Sequence, residues 1–286
     1  MKYIEFLLKL INIMENMVKY VYKGVRRRYF MDKLLTLMNF SHVYENEKFY
    51  LSEEYNWVDC TNIIGTNGYC DESALAVLKE KVQAIKAEGI HFIDSGNYHY
   101  ISHLWLEKIV EDFILVVFDH HSDMMRPAFG DILSCGSWLM EEIKSNTFIK
   151  KVLIIGLSKE QKEAIPKEYL DKVICICEEE VAKWSEQDNL LIDLDNLPVY
   201  ISIDKDVLNK ETVNTSWDQG KMSLNRLKLI LYKIIKNKDV IGIDICGDNQ
   251  ESKMEFIKNN DMVNSEILNF CWHEAGLSIL KEYDSI

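Results

Sequence analysis

The sequence is short of whatever would divide or tether it. It has three prolines in 286 residues, so no proline-rich linker separates one part from another, and no internal repeat or low-complexity segment interrupts it. Cations are outnumbered, with 33 lysines and arginines against 46 aspartates and glutamates and a net charge of −13. That balance argues against a nonspecific nucleic-acid binder, which needs clustered cations to displace counterions from phosphates. Long apolar runs are missing too. The opening stretch is broken by Glu5, Lys9, Glu15 and Lys19, so it cannot supply the roughly 20 apolar residues of a membrane span, and no small-residue cleavage site follows it. The seven cysteines, at 60, 70, 135, 175, 177, 246 and 271, form no CxxC pair and leave an odd count. They read as reduced thiols in a cytoplasmic protein rather than as a disulfide scaffold.

What is present suits one large α/β domain or two modest ones, with 48% of the residues hydrophobic. Ile4, Leu7, Leu8, Ile11, Met14, Val18, Val21, Tyr22 and Val25 recur at helical intervals with charges between them, then meet Arg26, Arg27 and Arg28. Residues 1–40 are therefore expected to form an amphipathic helical extension, laid on the domain or on a partner subunit. A helix on a membrane surface is the alternative, because basic residues beside an apolar face favour anionic lipid; Met31 is a second possible start. Over residues 41–286, short β-branched runs alternate with helical patterns, the signature of a parallel sheet with crossover helices. Strands are expected at 58–64, 91–94, 113–118, 152–155, 173–177, 200–203 and 240–245, and helices at 71–87, 102–112, 137–144, 178–185, 224–235 and 263–281. Cys175 and Cys177 read as alternation on a strand, Asp193 and Asp195 as a solvated turn, and His103 as ordinary helix surface.

The stretch that organises the chain is Val116-Val117-Phe118-Asp119-His120-His121-Ser122-Asp123. An apolar run ends there in Asp119, His121 and Asp123 at alternate positions, and residues two apart on an extended strand point the same way. His120, by the same alternation, points away and is assigned a structural role. Two carboxylates and one imidazole suit a divalent ion such as Mn²⁺, whereas structural zinc sites recruit cysteine. Val199 to Ile203 likewise runs into Asp204-Lys205-Asp206, and His91 to Asp94 leads through Ser95, Gly96, Asn97 and Tyr98 to His99. Any one of these pairs is what a solvated loop at a strand end would show. Together, at the edge where open α/β sheets gather ligands, they point to two ions sharing carboxylates.

Asp119-x-His121-x-Asp123, Ser202-x-Asp204-x-Asp206 and Gly96-x-x-His99 resemble, in order, the three metal motifs of the arginase and agmatinase (ureohydrolase) superfamily, over about residues 90 to 250. The resemblance implies a three-layer α/β/α fold around a mostly parallel sheet. It also implies a dinuclear manganese centre whose shared water, ionised near neutral pH, attacks a guanidinium carbon to release urea and an amine. By position it assigns His99, Asp119, Asp123 and Asp204 to one ion and Asp119, His121, Asp204 and Asp206 to the other, with Asp119 and Asp204 bridging. It further implies a homo-oligomer, a trimer or a hexamer.

The chain departs from the family at three places. Cys135 stands where a proton-shuttling histidine is expected, Gly247 where a glutamate grips the guanidinium, and Asn209 where an aspartate follows the third motif. A guanidinium needs a carboxylate placed for paired hydrogen bonds, a role open to Asp248 or Asp218. Trp217 beside Asp218 would offer a planar cation both an aromatic face and a carboxylate; the plain alternative is a surface loop with a buried tryptophan. Cys135 and Asp248 are thus the catalytic candidates, and Asn97, Trp217 and Asp218 the substrate-binding ones. The expected activity is manganese-dependent hydrolysis of a guanidino or related amidine C–N bond, in a small molecule or in an arginine side chain of a peptide. The alternatives are a deacetylase-like amide hydrolase and a catalytically idle member that keeps its metal.

Overall fold

The computed structural model describes residues 34–127, 130, 132–184 and 196–283, with side chains through residue 272. The chain runs through β1 (Leu35–Asn39), β2 (Tyr55–Asp59), β3 (Tyr69–Cys70), α1 (Glu72–Lys81), β4 (Gly89–Phe92), a 3-10 turn at Gly96–Ile101, α2 (Ser102–Leu106) and β5 (Phe113–Phe118). It continues through β6 (Leu133–Ser134), α3 (Trp138–Ser145), β7 (Ile149–Leu157), α4 (Lys159–Glu163), β8 (Val173–Cys177), α5 (Glu178–Lys183), β9 (Val199–Asp204), α6 (Leu224–Asn237), β10 (Val240–Cys246) and α7 (Met254–Tyr283). Eight strands form one sheet in the order β2-β1-β4-β10-β9-β5-β7-β8. Every neighbouring pair in it is parallel. β3 and β6 make a separate antiparallel pair.

Helices cover both faces of the sheet, which is why β5 is apolar at every position rather than at alternate ones. Ile114, Val116 and Phe118 pack with Leu227, Ile230 and Leu231 of α6 and Val263 and Ile267 of α7. Phe113, Leu115 and Val117 pack on the other side with Ala74 and Leu78 of α1 and Trp138, Leu139 and Ile143 of α3. The result is the expected three-layer α/β/α architecture. Asp71 caps α1 by accepting from the Ala74 amide, and Ser223 caps α6 by accepting from that of Arg226. No helix among the described residues is long and apolar enough to cross a membrane.

Several expected boundaries move. β1 lies in the sheet interior between β2 and β4, so the sheet draws on residues before 41. The signal was weak because a five-residue strand buried on both faces shows no alternation to read. The first expected strand, 58–64, ends at Asp59, whose carboxylate accepts from the Thr61 amide and hydroxyl and turns the chain. Helix α1 stops at Lys81, and the Lys108 ammonium takes the carbonyls of Val82 and Ile85 beyond it. The helix expected at 102–112 is confined to α2, preceded by the 3-10 turn. Residues 4–25, Arg26 to Arg28, Asp193 and Asp195 fall outside the described residues.

His103 is not ordinary helix surface. Its Nδ1 meets Glu142, a residue of α3 that is 1% exposed, and its Nε2 lies 3.1 Å from Glu107. Burial disfavours the charged ring, but the two glutamates outweigh it and hold its pKa at about 9. A histidine pKa raised on folding stabilises the native state fully below its unfolded value of about 6.5, and the stabilisation is lost as pH climbs through about 9. His103→Gln should therefore lower stability by up to about 3 kcal/mol at neutral pH. It should also flatten the alkaline fall in denaturation midpoint; an equally steep fall in the variant would contradict this pairing.

Candidate metal centre

Parallel strands put all their carboxyl ends on one edge, and the order β4-β10-β9-β5 brings the three ends that lead to expected ligands, those of β4, β9 and β5, together with that of β10. Asp119 to Asp123 leave the end of β5, Asp204 closes β9, and the turn after β4 delivers His99. Register aligns them further. Phe118 pairs with Ile203, so Asp119 and Asp204 follow side by side. Ser202 pairs with Asp244, and Asp204 with Cys246.

His99 Nδ1 lies 2.9 Å from Asp123 Oδ2, 3.2 Å from Asp119 Oδ2 and 3.7 Å from Asp204 Oδ2. On the other side, His121 Nδ1 lies 2.8 Å from Asp206 Oδ2 and 3.6 Å from Asp119 Oδ1. Asp119 thus turns one oxygen toward each histidine. Three groups of donor atoms, His99 with Asp119 and Asp123, Asp119 with His121 and Asp206, and His99 with Asp204 and Cys246, each lie within 4.8 Å of one another. All four aspartates are buried.

The histidine network shows what these groups need. Ser202 Oγ donates to Asp244 Oδ1 at 2.5 Å and accepts from His99 Nε2 at 2.8 Å. That fixes a proton on Nε2 and turns Nδ1 toward the carboxylates. Nδ1 is buried and no oxygen sits in hydrogen-bonding geometry to it. Only a cation relieves a nitrogen lone pair surrounded by anions. A second ring proton is one such cation: burial opposes it, yet Asp119 and Asp123 raise His99 well above its usual pKa. A divalent ion is the other, and the misaligned oxygens suit an ion among them better than an N–H. His121 differs in that its Nδ1 does hydrogen-bond, to Asp206 Oδ2 at 2.8 Å, and Asp119 and Asp206 lift its pKa to about 11 against the cost of burial. Burial first, and neighbouring carboxylates second, raise Asp204 and Asp206 above the usual carboxylate range.

Backbone and second-layer donors hold the carboxylates in place. The His121 amide donates to Asp119 Oδ1 at 2.6 Å, the Asp206 amide to Asp204 Oδ1 at 2.9 Å, and the His120 amide to Asp206 Oδ1 at 3.1 Å. Trp138 Nε1 donates to Asp123 Oδ2 at 2.6 Å. Asp123 itself adopts a left-handed φ of 50°, which bends its carboxylate back over His99. Lys205, between two expected ligands, points the opposite way and is fully buried, paired with Asp248 and 2.6 Å from Asn264 Oδ1.

Asp119, His121, Asp123, Asp204 and Asp206 floor a cavity of about 220 Å³. Its walls include Gly68, Gly96, Met125, Ser134, Cys135, Gly136, Gln161 and Trp217. Cys135 therefore reaches the cavity, but burial pushes its thiol up to about 12, so it stays protonated. Trp217 forms part of the rim, 44% exposed rather than buried. Its Nε1 donates to Asn97 Oδ1 at 2.9 Å, and Asn97 Nδ2 donates to Asn67 at 2.8 Å. Asn97 braces the tryptophan and does not line the cavity. Asp218 is exposed and outside the lining. Asp248, expected as a catalytic candidate, is fully buried against Lys205 and Asn264 and lies outside the cavity lining. Asn209 turns the chain by accepting from the Thr212 amide and hydroxyl. His120 lies outside the lining, as alternation implied.

Gly247 has φ of 97°, and a Cβ there would lie 2.5 Å from Asp204 Oδ1 and 2.7 Å from the Lys205 amide. A glutamate at this position would displace an expected ligand before it reached any substrate. Sequence reasoning missed Trp138, Gln161 and Cys246. The first two come from segments with no motif. Cys246 shares a face with Asp244 by simple alternation, but only the pairing of β10 with β9 places it beside Asp204.

Residues 32–249 match the model of the arginase family. A Thermotoga maritima protein described only as uncharacterized is 31% identical over 205 residues, 69% of this chain and 76% of the relative. Among solved structures, the agmatine ureohydrolase of Thermoplasma volcanium superposes with a TM-score of 0.65 at 14% identity, over 89% of this chain and 93% of that one. The proclavaminate amidino hydrolase of Streptomyces clavuligerus gives 0.66 at 12% identity, over 85% and 92%. Identities this low establish the shared fold, while the sequence match over most of the domain establishes kinship. This chain belongs to the arginase family.

Proposed function

We propose that the protein is a manganese-dependent hydrolase of a guanidino or related amidine C–N bond. Members of its family are hydrolases acting on C–N bonds. The observation that carries the reading is the position of Asp119 between two donor groups, one oxygen toward His99 and the other toward His121. His99, Asp119, Asp123 and Asp204 would hold one ion, and Asp119, His121, Asp204 and Asp206 the other. Hard oxygen donors with one imidazole on each side suit Mn²⁺. Two such ions would supply a hydroxide near neutral pH and a charge clamp for the tetrahedral species that follows.

The chain's own residues orient the substrate. Trp217 stands at the rim with its ring 6.0 Å from that of His121, and the face of an indole there would favour a planar cation. Among the described lining residues, the carboxylates are all expected ligands, so a guanidinium is placed by the centre and by Trp217 rather than by a separate acid. Cys135, protonated, can donate a hydrogen bond toward the leaving nitrogen but is a poor proton carrier. The substrate class spans small guanidino compounds and an arginine side chain within a peptide. Gly247 favours a second reading, a member that binds metal but does not release urea, because the site has no room for the family's guanidinium-gripping glutamate.

Protein loaded with Mn²⁺ and assayed for urea from arginine, agmatine, guanidinobutyrate and arginine-containing peptides should release it from at least one. Two bound ions with urea from none would establish the second reading. Asp119→Ala and Asp204→Ala should each abolish ion retention by elemental analysis, whereas Asp218→Ala should retain the wild-type ion content. Gly247→Glu, which restores the family residue, should lose ions rather than gain activity. A Gly247→Glu protein with full ion content and faster turnover would refute the steric account of that position.

A further inference from the structure

Cys246 is fully buried at the end of β10, and its Sγ donates to Asp204 Oδ2 at 3.2 Å. A buried cysteine is most often a small packing residue. This one sits on the ligand face. Strand pairing stacks Asp204 and Cys246 as one rung above Ser202 and Asp244, and His99 spans both rungs, bonded through Nε2 to Ser202 with Nδ1 left without a partner. The donor atoms of His99, Asp204 and Cys246 all lie within 4.8 Å of one another. Donors about 2.0–2.3 Å from a common ion stand roughly 3 to 4 Å apart. The 3.2 Å from sulfur to Asp204 and the 3.7 Å from Asp204 to His99 Nδ1 fall in that range.

Given the metal centre proposed above, we propose that Cys246 is a further, thiolate ligand of the ion on the His99 side, so that this side accepts a borderline ion such as Zn²⁺ or Co²⁺ as well as Mn²⁺, whereas the His121 side keeps to Mn²⁺. The two sides differ in donor chemistry. Asp119, Asp204, Asp206 and His121 offer hard oxygens and one imidazole, whereas the His99 side adds sulfur, and thiolate ligation favours softer ions. On binding, the S–H bond breaks, a sulfur–metal bond forms and the proton leaves to solvent.

Cobalt provides the test, because thiolate-to-Co²⁺ charge transfer gives a near-ultraviolet band that oxygen and nitrogen ligands do not. The full chain loaded with Co²⁺ should show the band. Cys246→Ser should lose it while still binding cobalt, and should bind zinc at least about 10-fold more weakly, the lower end of what losing even an outer partner costs a metal site. Cys135→Ser should keep the band. X-ray absorption at the zinc edge of the wild-type protein, which needs no variant, should show one sulfur neighbour. Two bound cobalt ions with no band, or a zinc spectrum without sulfur, would overturn the ligand role and leave the metal centre standing. A band that survives Cys246→Ser and vanishes in Cys135→Ser would also overturn it, placing the thiolate on the cavity wall. No cobalt retained by the wild-type chain would overturn the metal centre itself, and this ligand with it.

Discussion

Four aspartates of like charge line the floor of one cavity, and their mutual repulsion is the constraint to which the surrounding structure responds. Two unit charges about 4 Å apart repel by roughly 4 kcal/mol even at an effective dielectric constant of about 20. Amides from residues 121, 206 and 120 and the Trp138 indole each donate to one of these carboxylates, yet none of these donors carries a charge. The histidines can supply one only by taking a second proton. A divalent ion on each side of Asp119, as proposed, would answer the same need with more charge.

The second buried charge centre lies just beneath. Lys205 projects from between Asp204 and Asp206 to the opposite face, where it pairs with Asp248 and Asn264, and Asn264 in turn donates to Glu47. Breaking such a pair leaves an uncompensated charge in the interior. The turn bearing two of the expected ligands is thus fixed from below by an ammonium and from above by its own amide. Asp94 strengthens the same region: its carboxylate accepts from Phe40, Ser41 and Ser95, and its carbonyl from Gly247 and Asp248.

Much of this architecture could be read before any coordinates. The central strand 113–118 and the strand 173–177 came out with their observed bounds, because one is continuously apolar and the other is bounded by turns. His99, the Asp119 triplet and the Asp204 pair lie close together, although Asp119 to Asp123 follow the end of β5 in a turn and not on an extended strand. What escaped was whatever depends on pairing between distant segments. Asp248 looked like a free carboxylate because nothing in its neighbourhood of the sequence names Lys205 as its partner, 43 residues away. β1 was missed because a short strand buried on both sides carries no periodicity, and His103 passed for surface because Glu142 reaches it from another helix. Period-two logic finds ligands on one strand; it does not say which neighbour lies beside it.

The strands that carry the donors are the middle four of the sheet, with β2 and β1 outside them on one flank and β7 and β8 on the other. Fraying starts at edges, and backbone opening costs most where both flanks are paired. Amide exchange should therefore be slowest in the strands that end at the aspartates, so that breathing at either margin of the sheet dies out before it reaches the pocket floor.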